Sequence, residues 1–194
     1  ESFCRNGDFP LPYFLVVRTG NYVMELKNVG SFESTFLDTN QTSSKTNLLK
    51  IIEFCNKHQI RIKEHNTDYL SDRALQLHPE IGIHAANIAP EFAIAETRAF
   101  LSLLKKHKLE KELEKFIEIS YSSKKWEKWM LNDSKLGKQE KAIISGHYIF
   151  GKNEFIDLKN DVERKISLKN TLDSYLKLEV KKSISRYLNL FSMI

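Results

Sequence analysis

The chain has 194 residues and a formal net charge of +5, and 41% of its residues are apolar. This apolar fraction excludes global disorder, and the length allows one medium-sized domain or two small ones. The longest apolar run, from Tyr13 to Val17, is far shorter than the roughly 20 residues of a membrane helix, which argues against a membrane partner. Two cysteines, Cys4 and Cys55, are too few for a disulfide scaffold, so we expect a cytoplasmic protein.

Basic residues concentrate in the C-terminal half, where residues 105–194 carry 20 lysines and arginines against 13 acidic residues. Such an excess is one signature of nucleic-acid binding. However, only 7 of the 30 basic residues are arginines, and lysines alternate with glutamates between residues 108 and 115. That alternation is typical of a solvent-facing helix with i,i+4 ion pairs, so it argues against a nucleic-acid partner.

Three strand–helix units are predicted in the first 107 residues, because short apolar runs alternate with segments of helical periodicity. The first run, 13–17, is unbroken and rich in β-branched and aromatic residues, which indicates a strand buried on both faces. Pro79 is expected to end the second helix. The predicted elements are a strand at 13–17, a helix at 47–58, a strand at 60–64, a helix at 72–78, a strand at 80–84 and a helix at 90–107.

This alternation predicts an α/β fold in which parallel strands are joined by crossover helices. Three strands alone are too few to close a barrel, and the remaining residues do not supply the others. Residues 108–130 are predicted to be helical, 142–150 to be a strand or an extended segment, and 157–191 to form one or two helices.

Polar residues cluster after each predicted strand, where ligands bind in parallel α/β proteins. The clusters are Arg18, Thr19, Gly20 and Asn21 after the first strand, residues 64–69 after the second, and His84, Asn87 and Glu91 around the end of the third. We therefore expect Arg18, His65, Asp68 and His84 to surround one mouth.

His65 and Asp68 have the residue types of an acid–base pair or of metal ligands. The alternative is that Asp68 caps the next turn while His65 forms local hydrogen bonds. Two interpretations of His84 stay open. It contacts a ligand, or it is a core histidine whose hydrogen bonds are satisfied within the protein. The candidate metal ligands are Glu64, His65 and His84, with the metal itself unidentified.

The loop containing Asn87 leads into a helix N-terminus, which favours phosphate through its backbone N–H groups and its dipole. Glu91 lies in the first turn of that helix. The sequence contains no glycine-rich phosphate loop and no metalloprotease motif. The predicted substrate-binding residues are Arg18, Asn66, Asn87 and Glu91.

The segments 15–20 (LVVRTG) and 63–69 (KEHNTDY) resemble strand ends of the D-tagatose-1,6-bisphosphate aldolase non-catalytic subunit family. The residues Glu96-Thr97-Arg98-Ala99 are similar to a stretch of that family's long helix, and 126–150 is similar to its tryptophan-containing tail. The resemblance covers most of the chain, and 63–69 is its specific part.

The resemblance implies a (β/α)8 barrel, with residues 1–107 forming about its last three strand–helix units and 108–194 a mainly helical extension. It also implies a role in sugar-phosphate metabolism, in support of a zinc-dependent class II aldolase subunit. If the chain is itself catalytic, His65 is the general acid–base, Asp68 orients it, and Arg18 with the amides after Asn87 holds phosphate.

The sequence departs from the family at 84–87, where His84-Ala85-Ala86-Asn87 replaces a Lys-Val-Gly-Pro-like segment. This departure leaves open a divergent sugar-phosphate lyase or isomerase. A further alternative is a non-enzymatic assembly scaffold whose basic helical part docks a partner. A homo-oligomer is the alternative to an aldolase partner. The cofactor stays open, with a divalent metal such as zinc, carried here or by the partner, as the candidate.

Overall fold

The computed structural model describes residue 10, residues 12–37 and residues 43–191, with only the backbone described at 43 and 44. Cys4 lies outside these residues. The strands are β1 (Phe14–Val17), β2 (Val23–Met24), β3 (Lys27–Asn28), β4 (Arg61–Glu64) and β5 (Ala85–Ala86). The helices are α1 (Phe32–Leu37), α2 (Ser43–Lys57), α3 (Asp72–Glu80), α4 (Pro90–Lys106), α5 (Glu110–Ser122), α6 (Lys138–Ser145), α7 (Asn153–Lys165) and α8 (Leu172–Phe191), with 3-10 turns at Glu127–Trp129 and Gly146–Tyr148.

The main sheet contains three parallel strands in the order β1-β4-β5, which confirms the predicted mixed α/β class. Phe14 lies opposite Arg61, Val17 opposite Glu64, and Glu64 opposite Ala86. The short strands β2 and β3 form a separate two-stranded sheet.

The chain divides into two compact units. Of the described residues, the sheet unit comprises those up to 22, those from 28 to 88 and 190–191, and the helical unit comprises 23–27 and 89–189. The boundary predicted from the sequence, at residue 107, groups α4 with the strands. In the structure α4 belongs to the helical unit. The helical unit contains a continuous core of buried residues from Ala99 to Leu176, centred on Phe100, Phe116 and Phe155.

The expectation that the first strand is buried on both faces is wrong. Phe14, Leu15 and Val16 are 38%, 40% and 52% exposed, and only Val17 is buried. The physical reason is that β1 has one sheet neighbour, β4, in the described part of the chain.

The predicted strand at 80–84 is also wrong. Glu80 ends α3, since the N–H of Ile81 donates to the carbonyl of Leu77 and the N–H of Gly82 donates to that of Pro79. Gly82 then has a positive φ of 91°, which favours glycine and turns the chain out of the helix. The strand that follows is limited to Ala85–Ala86.

Pro79 does not stop α3 at His78, because it lies in the last turn, where its missing N–H removes a single helical hydrogen bond. The expectation of an extended segment at 142–150 is wrong as well. Residues up to Ser145 belong to α6 and the next three form a 3-10 turn. The predicted helical character of 157–191 is confirmed by α7 and α8, and that of 108–130 is confirmed up to Ser122, where α5 ends.

Candidate functional site at the C-terminal edge of the sheet

Three residues predicted to contact a ligand follow directly after the aligned ends of the parallel strands. Val17, Glu64 and Ala86 lie at the same level of the sheet, so Arg18, His65 and Asn87 leave it at the same edge. All three are exposed. The N–H of Asn87 donates to the carbonyl of Glu64 at 3.0 Å, which fixes the position of this chain segment against β4.

Beneath this edge, the side chain of Glu64 lies fully buried at the end of β4. Its Oε1 accepts hydrogen bonds from Nδ2 of Asn21, at 2.7 Å, and from the hydroxyl of Thr19. Its Oε2 accepts from the hydroxyl of Thr67 at 3.4 Å and contacts Nε2 of His78. Both oxygens are therefore saturated by protein groups, as a buried carboxylate requires.

His78 is the other ionisable member of this buried network, and its proton positions follow from its partners. Nδ1 lies 2.7 Å from the carbonyl oxygen of Ala74, which only accepts, so Nδ1 carries a hydrogen. Nε2 faces Oε2 of Glu64. A hydrogen bond between Nε2 and Oε2 needs one hydrogen, carried by either of these two atoms.

The Glu64 network joins four chain segments. Thr19 and Asn21 belong to the loop after β1, Thr67 to the loop after β4, and His78 to α3. Removal of the carboxylate would leave several buried donors without an acceptor. The network therefore positions the two loops that present Arg18 and His65, and it is not itself open to a substrate.

The loop after β4 is held in a strained conformation. Asn66 and Tyr69 both have positive φ values, 61° and 62°, a region that asparagine tolerates better than tyrosine. Nδ2 of Asn28 donates to the carbonyls of Asn66, at 2.9 Å, and Asp68, at 3.0 Å. In addition, the N–H of Thr67 donates to the carbonyl of Asn87 at 3.2 Å, so the loop is tied to the segment after β5.

The other predicted catalytic residues lie in different surroundings. Asp68 is 1% exposed, in contrast to the exposed His65. The cap of α3 is Ser71, whose hydroxyl accepts from the N–H of Ala74 at 3.2 Å.

His84 does not end a strand, because it precedes β5. The N–H of Ile62 donates to its Nδ1 at 3.3 Å, and its own N–H donates to the carbonyl of Ile62 at 3.0 Å. This register places His84 two residues before the level of Glu64, toward the opposite edge of the sheet. The expectation that His84 shares one mouth with Arg18 and His65 is therefore wrong.

Glu91 lies in the helical unit, in the first turn of α4. Its carboxylate forms an ion pair with Arg186 at 3.4 Å and accepts a hydrogen bond from the hydroxyl of Tyr187. Within that unit it joins the start of α4 to the end of α8.

The candidate metal ligands Glu64, His65 and His84 do not form a metal centre in the described ranges. Among these residues no group of three or more histidine, cysteine, aspartate or glutamate side chains is placed to hold an ion. Glu64 in particular uses both oxygens within the protein.

His78 is a residue of the site that the sequence-based analysis missed. Its signal is its place on the apolar face of α3, three and four residues after the buried Leu75 and Ala74. A histidine at such a position needs a buried polar partner. The partner, Glu64, is 14 residues away, and nothing in the local pattern identifies it.

None of the helices in the described ranges combines the length and apolar character needed to cross a membrane. Comparisons of the chain with models of known families, with curated proteins and with solved structures find no match.

Proposed function

We propose that this chain is a sugar-phosphate-binding part of an aldolase of carbohydrate metabolism, and that it supports a class II aldolase partner. The observation that carries the proposal is the common level of Val17, Glu64 and Ala86, after which Arg18, His65 and Asn87 follow at one edge. These are residues of the segments that resemble the tagatose-bisphosphate aldolase non-catalytic subunits.

The proposed architecture is a (β/α)8 barrel to which this chain contributes β1, β4 and β5. Parallel strand order and helical crossovers are what such a barrel requires. The exposed apolar side chains of Phe14, Leu15 and Val16 also support it, since a further strand beside β1, with its helix, would bury them.

In the proposed mode of binding, the guanidinium of Arg18 pairs with a phosphate of the sugar. Arginine suits this task because its planar N–H groups match phosphate oxygens in pairs. The side-chain amides of Asn66 and Asn87 are available for sugar hydroxyls at the same edge. The buried Glu64 network holds both loops in place before the ligand arrives, which lowers the entropic cost of binding.

Retro-aldol cleavage needs a base that removes a hydroxyl proton and an electrophile that stabilises the enolate. In this chain His65 is the proposed proton acceptor. The described residues do not fit a metal centre. We therefore assign the electrophile, a divalent metal such as zinc, to the aldolase partner, and no step on this chain involves it.

Isothermal titration with tagatose 1,6-bisphosphate, with and without a class II aldolase subunit, tests the proposal. Arg18→Gln should weaken binding at least tenfold, about 1.4 kcal/mol. Arg98→Gln is the matched control, because Arg98 is an exposed arginine of α4 in the other unit, and it should leave the affinity unchanged.

Absence of sugar-phosphate binding in both settings would overturn the proposal. If the chain then still binds the aldolase subunit, the assembly-scaffold alternative gains support. Equal losses in Arg18→Gln and Arg98→Gln would show that net charge, rather than this edge of the sheet, governs the interaction.

A further inference from the structure

A cavity in the sheet unit lies beside α3, β5 and the segment between them. Its volume is about 340 Å³, within the range of small-molecule sites. The side chains that characterise it are Arg61, Pro79, Ile83, His84, Ala85 and Phe191. The lining also includes His78 and Ala86, which belong to the framework of the site described above, but it includes none of the residues proposed to contact sugar phosphate.

The imidazole of His84 presents a hydrogen-bond donor at this cavity. A peptide N–H only donates, so the bond from the N–H of Ile62 to Nδ1 of His84 requires a lone pair on Nδ1. In the neutral ring the hydrogen is then on Nε2. His84 is exposed, and it lines the cavity, so this N–H is accessible to a ligand.

Arg61 supplies the second polar group. Its guanidinium carbon lies 4.8 Å from the centre of the Tyr13 ring, in a cation–π contact. A cation–π contact engages the charge of the guanidinium and uses none of its N–H groups on an acceptor, so these N–H groups remain to bind one. The contact also restricts the side chain, so less entropy is lost when a ligand binds.

The remaining walls are apolar or already satisfied. Pro79, Ile83, Ala85 and Phe191 offer hydrocarbon, and the buried His78 uses both ring nitrogens within the protein. Among the residues that the structure describes, no aspartate or glutamate lines the cavity. The two donors, Arg61 and His84, have no carboxylate of the protein beside them, so they favour a ligand with a hydrogen-bond acceptor group. The apolar walls offer no partners for the hydroxyls of a sugar.

We propose that this cavity binds a small organic carboxylate with an apolar body. The carboxylate accepts from Arg61 and from Nε2 of His84, while the apolar body packs against Ile83 and Phe191. The proposal is independent of the sugar-phosphate site, because the two places share no ligand-contacting residue.

Titration calorimetry with phenylacetate and 4-methylpentanoate tests the proposal, with phenylacetamide as the neutral analogue and inorganic phosphate as the anion without an apolar body. Both organic acids should bind with millimolar affinity or better, and phenylacetamide and phosphate at least tenfold more weakly. Nitrogen NMR of the His84 ring should show a shift of Nε2 on addition of phenylacetate.

Two variants and one control locate the binding. Arg61→Gln should weaken phenylacetate binding about tenfold, as expected for a lost charge-assisted hydrogen bond. His84→Asn keeps an acceptor for the N–H of Ile62 but loses the Nε2 donor, and it should weaken binding severalfold. Arg73→Gln changes an exposed arginine outside the cavity and should have no effect.

Equal binding of phenylacetate and phenylacetamide, or unchanged binding in Arg61→Gln, would overturn the proposal. So would the absence of saturable binding by either organic acid. Because Arg61 and His84 are both exposed, their variants should retain the circular dichroism spectrum of the wild type.

Discussion

Glu64 shows how one buried carboxylate can organise two loops. Its two oxygens serve donors from the loops after β1 and β4 and from α3, and no part of its side chain is exposed. A buried charge is stabilised only when its partners are complete, so the network is sensitive to the loss of any one of them.

We predict that Glu64→Gln lowers the free energy of unfolding by about 1–3 kcal/mol. Glutamine keeps the shape of glutamate but has one acceptor oxygen instead of two. When its NH2 group donates to Nε2 of His78, the buried hydroxyl of Thr67 loses the oxygen that accepts from it. Urea denaturation measures the change. Glu53→Gln, at an exposed position of α2, is the control and should stay within about 0.5 kcal/mol of the wild type. A loss below about 1 kcal/mol in Glu64→Gln would show that the network relaxes around the amide.

His147 gives the helical unit a predictable dependence on pH. Burial, followed by the positive charge of Lys128, lowers the pKa of this imidazole from its ordinary value of 6.5. Its Nδ1 is buried and has no hydrogen-bond partner among the described residues. The unfolded chain therefore takes up a proton at higher pH than the folded chain does.

As the pH falls through 6.5 toward the lowered pKa of His147, the unfolded state is favoured and stability decreases. The loss is limited to about 1.4 kcal/mol for each pH unit in this window. We predict that His147→Gln, which cannot titrate, loses less stability than the wild type between pH 7 and pH 5 in urea denaturation. Identical pH profiles for the two proteins would contradict this assignment.

At the scale of elements, small side chains decide the conformation of 142–150. Ala142, Ser145 and Gly146 are buried, and the hydroxyl of Ser145 donates to the carbonyl of Ser120 at 2.9 Å. These residues allow α6 to pack closely against α5. The apolar residues of the segment indicated a strand. The local pattern failed here because the partner helix that sets the conformation is distant in sequence.

We predict that Gly146→Ala destabilises the protein by about 1–3 kcal/mol, although alanine favours helical backbone more than glycine does. A Cβ at Gly146 would lie 2.6 Å from Oγ1 of Thr97 and 3.1 Å from Cζ of Phe116. Gly151→Ala is the matched control, because a Cβ there meets nothing within 4 Å. Thermal denaturation should show a lower midpoint for Gly146→Ala alone, and an unchanged or raised midpoint would mean that Thr97 gives way.

Local pattern predicted most of the elements correctly, and its failures share one cause. The helices at 47–58 and 90–107 were predictable because their apolar periodicity lies within the segment itself. Burial of β1 was not predictable, since it depends on which strands lie beside it. The chain positions of Arg18, His65 and Asn87 followed from strand ends, whereas the pairing of Glu64 with His78 depends on how α3 packs, which no spacing encodes.

At the scale of the whole molecule, the two units differ in how they gain stability. The helical unit has the continuous aromatic core, and lysine–carboxylate pairs account for part of its basic charge, as in the 2.6 Å contacts of Lys159 with Asp173 and of Lys182 with Glu179. The sheet unit has shorter strands, an exposed edge strand and the buried network around Glu64. A destabilising substitution in one core should therefore lower the free energy of unfolding mainly of its own unit.

Phe116 tests that division, because it is fully buried in the centre of the helical core. Its ring contacts those of Phe100 and Phe155 at centroid distances of 5.3 and 5.9 Å. We predict that Phe116→Ala lowers the free energy of unfolding of the helical unit by about 3–5 kcal/mol. Hydrogen exchange should then show reduced protection in α4, α5 and α7, with little change in β4 and α3. Because α4 lies before residue 107, its response also separates the two ways of dividing the chain. If α4 keeps its protection while α5 and α7 lose theirs, the boundary at 107 describes the cooperative units better than the one at 88.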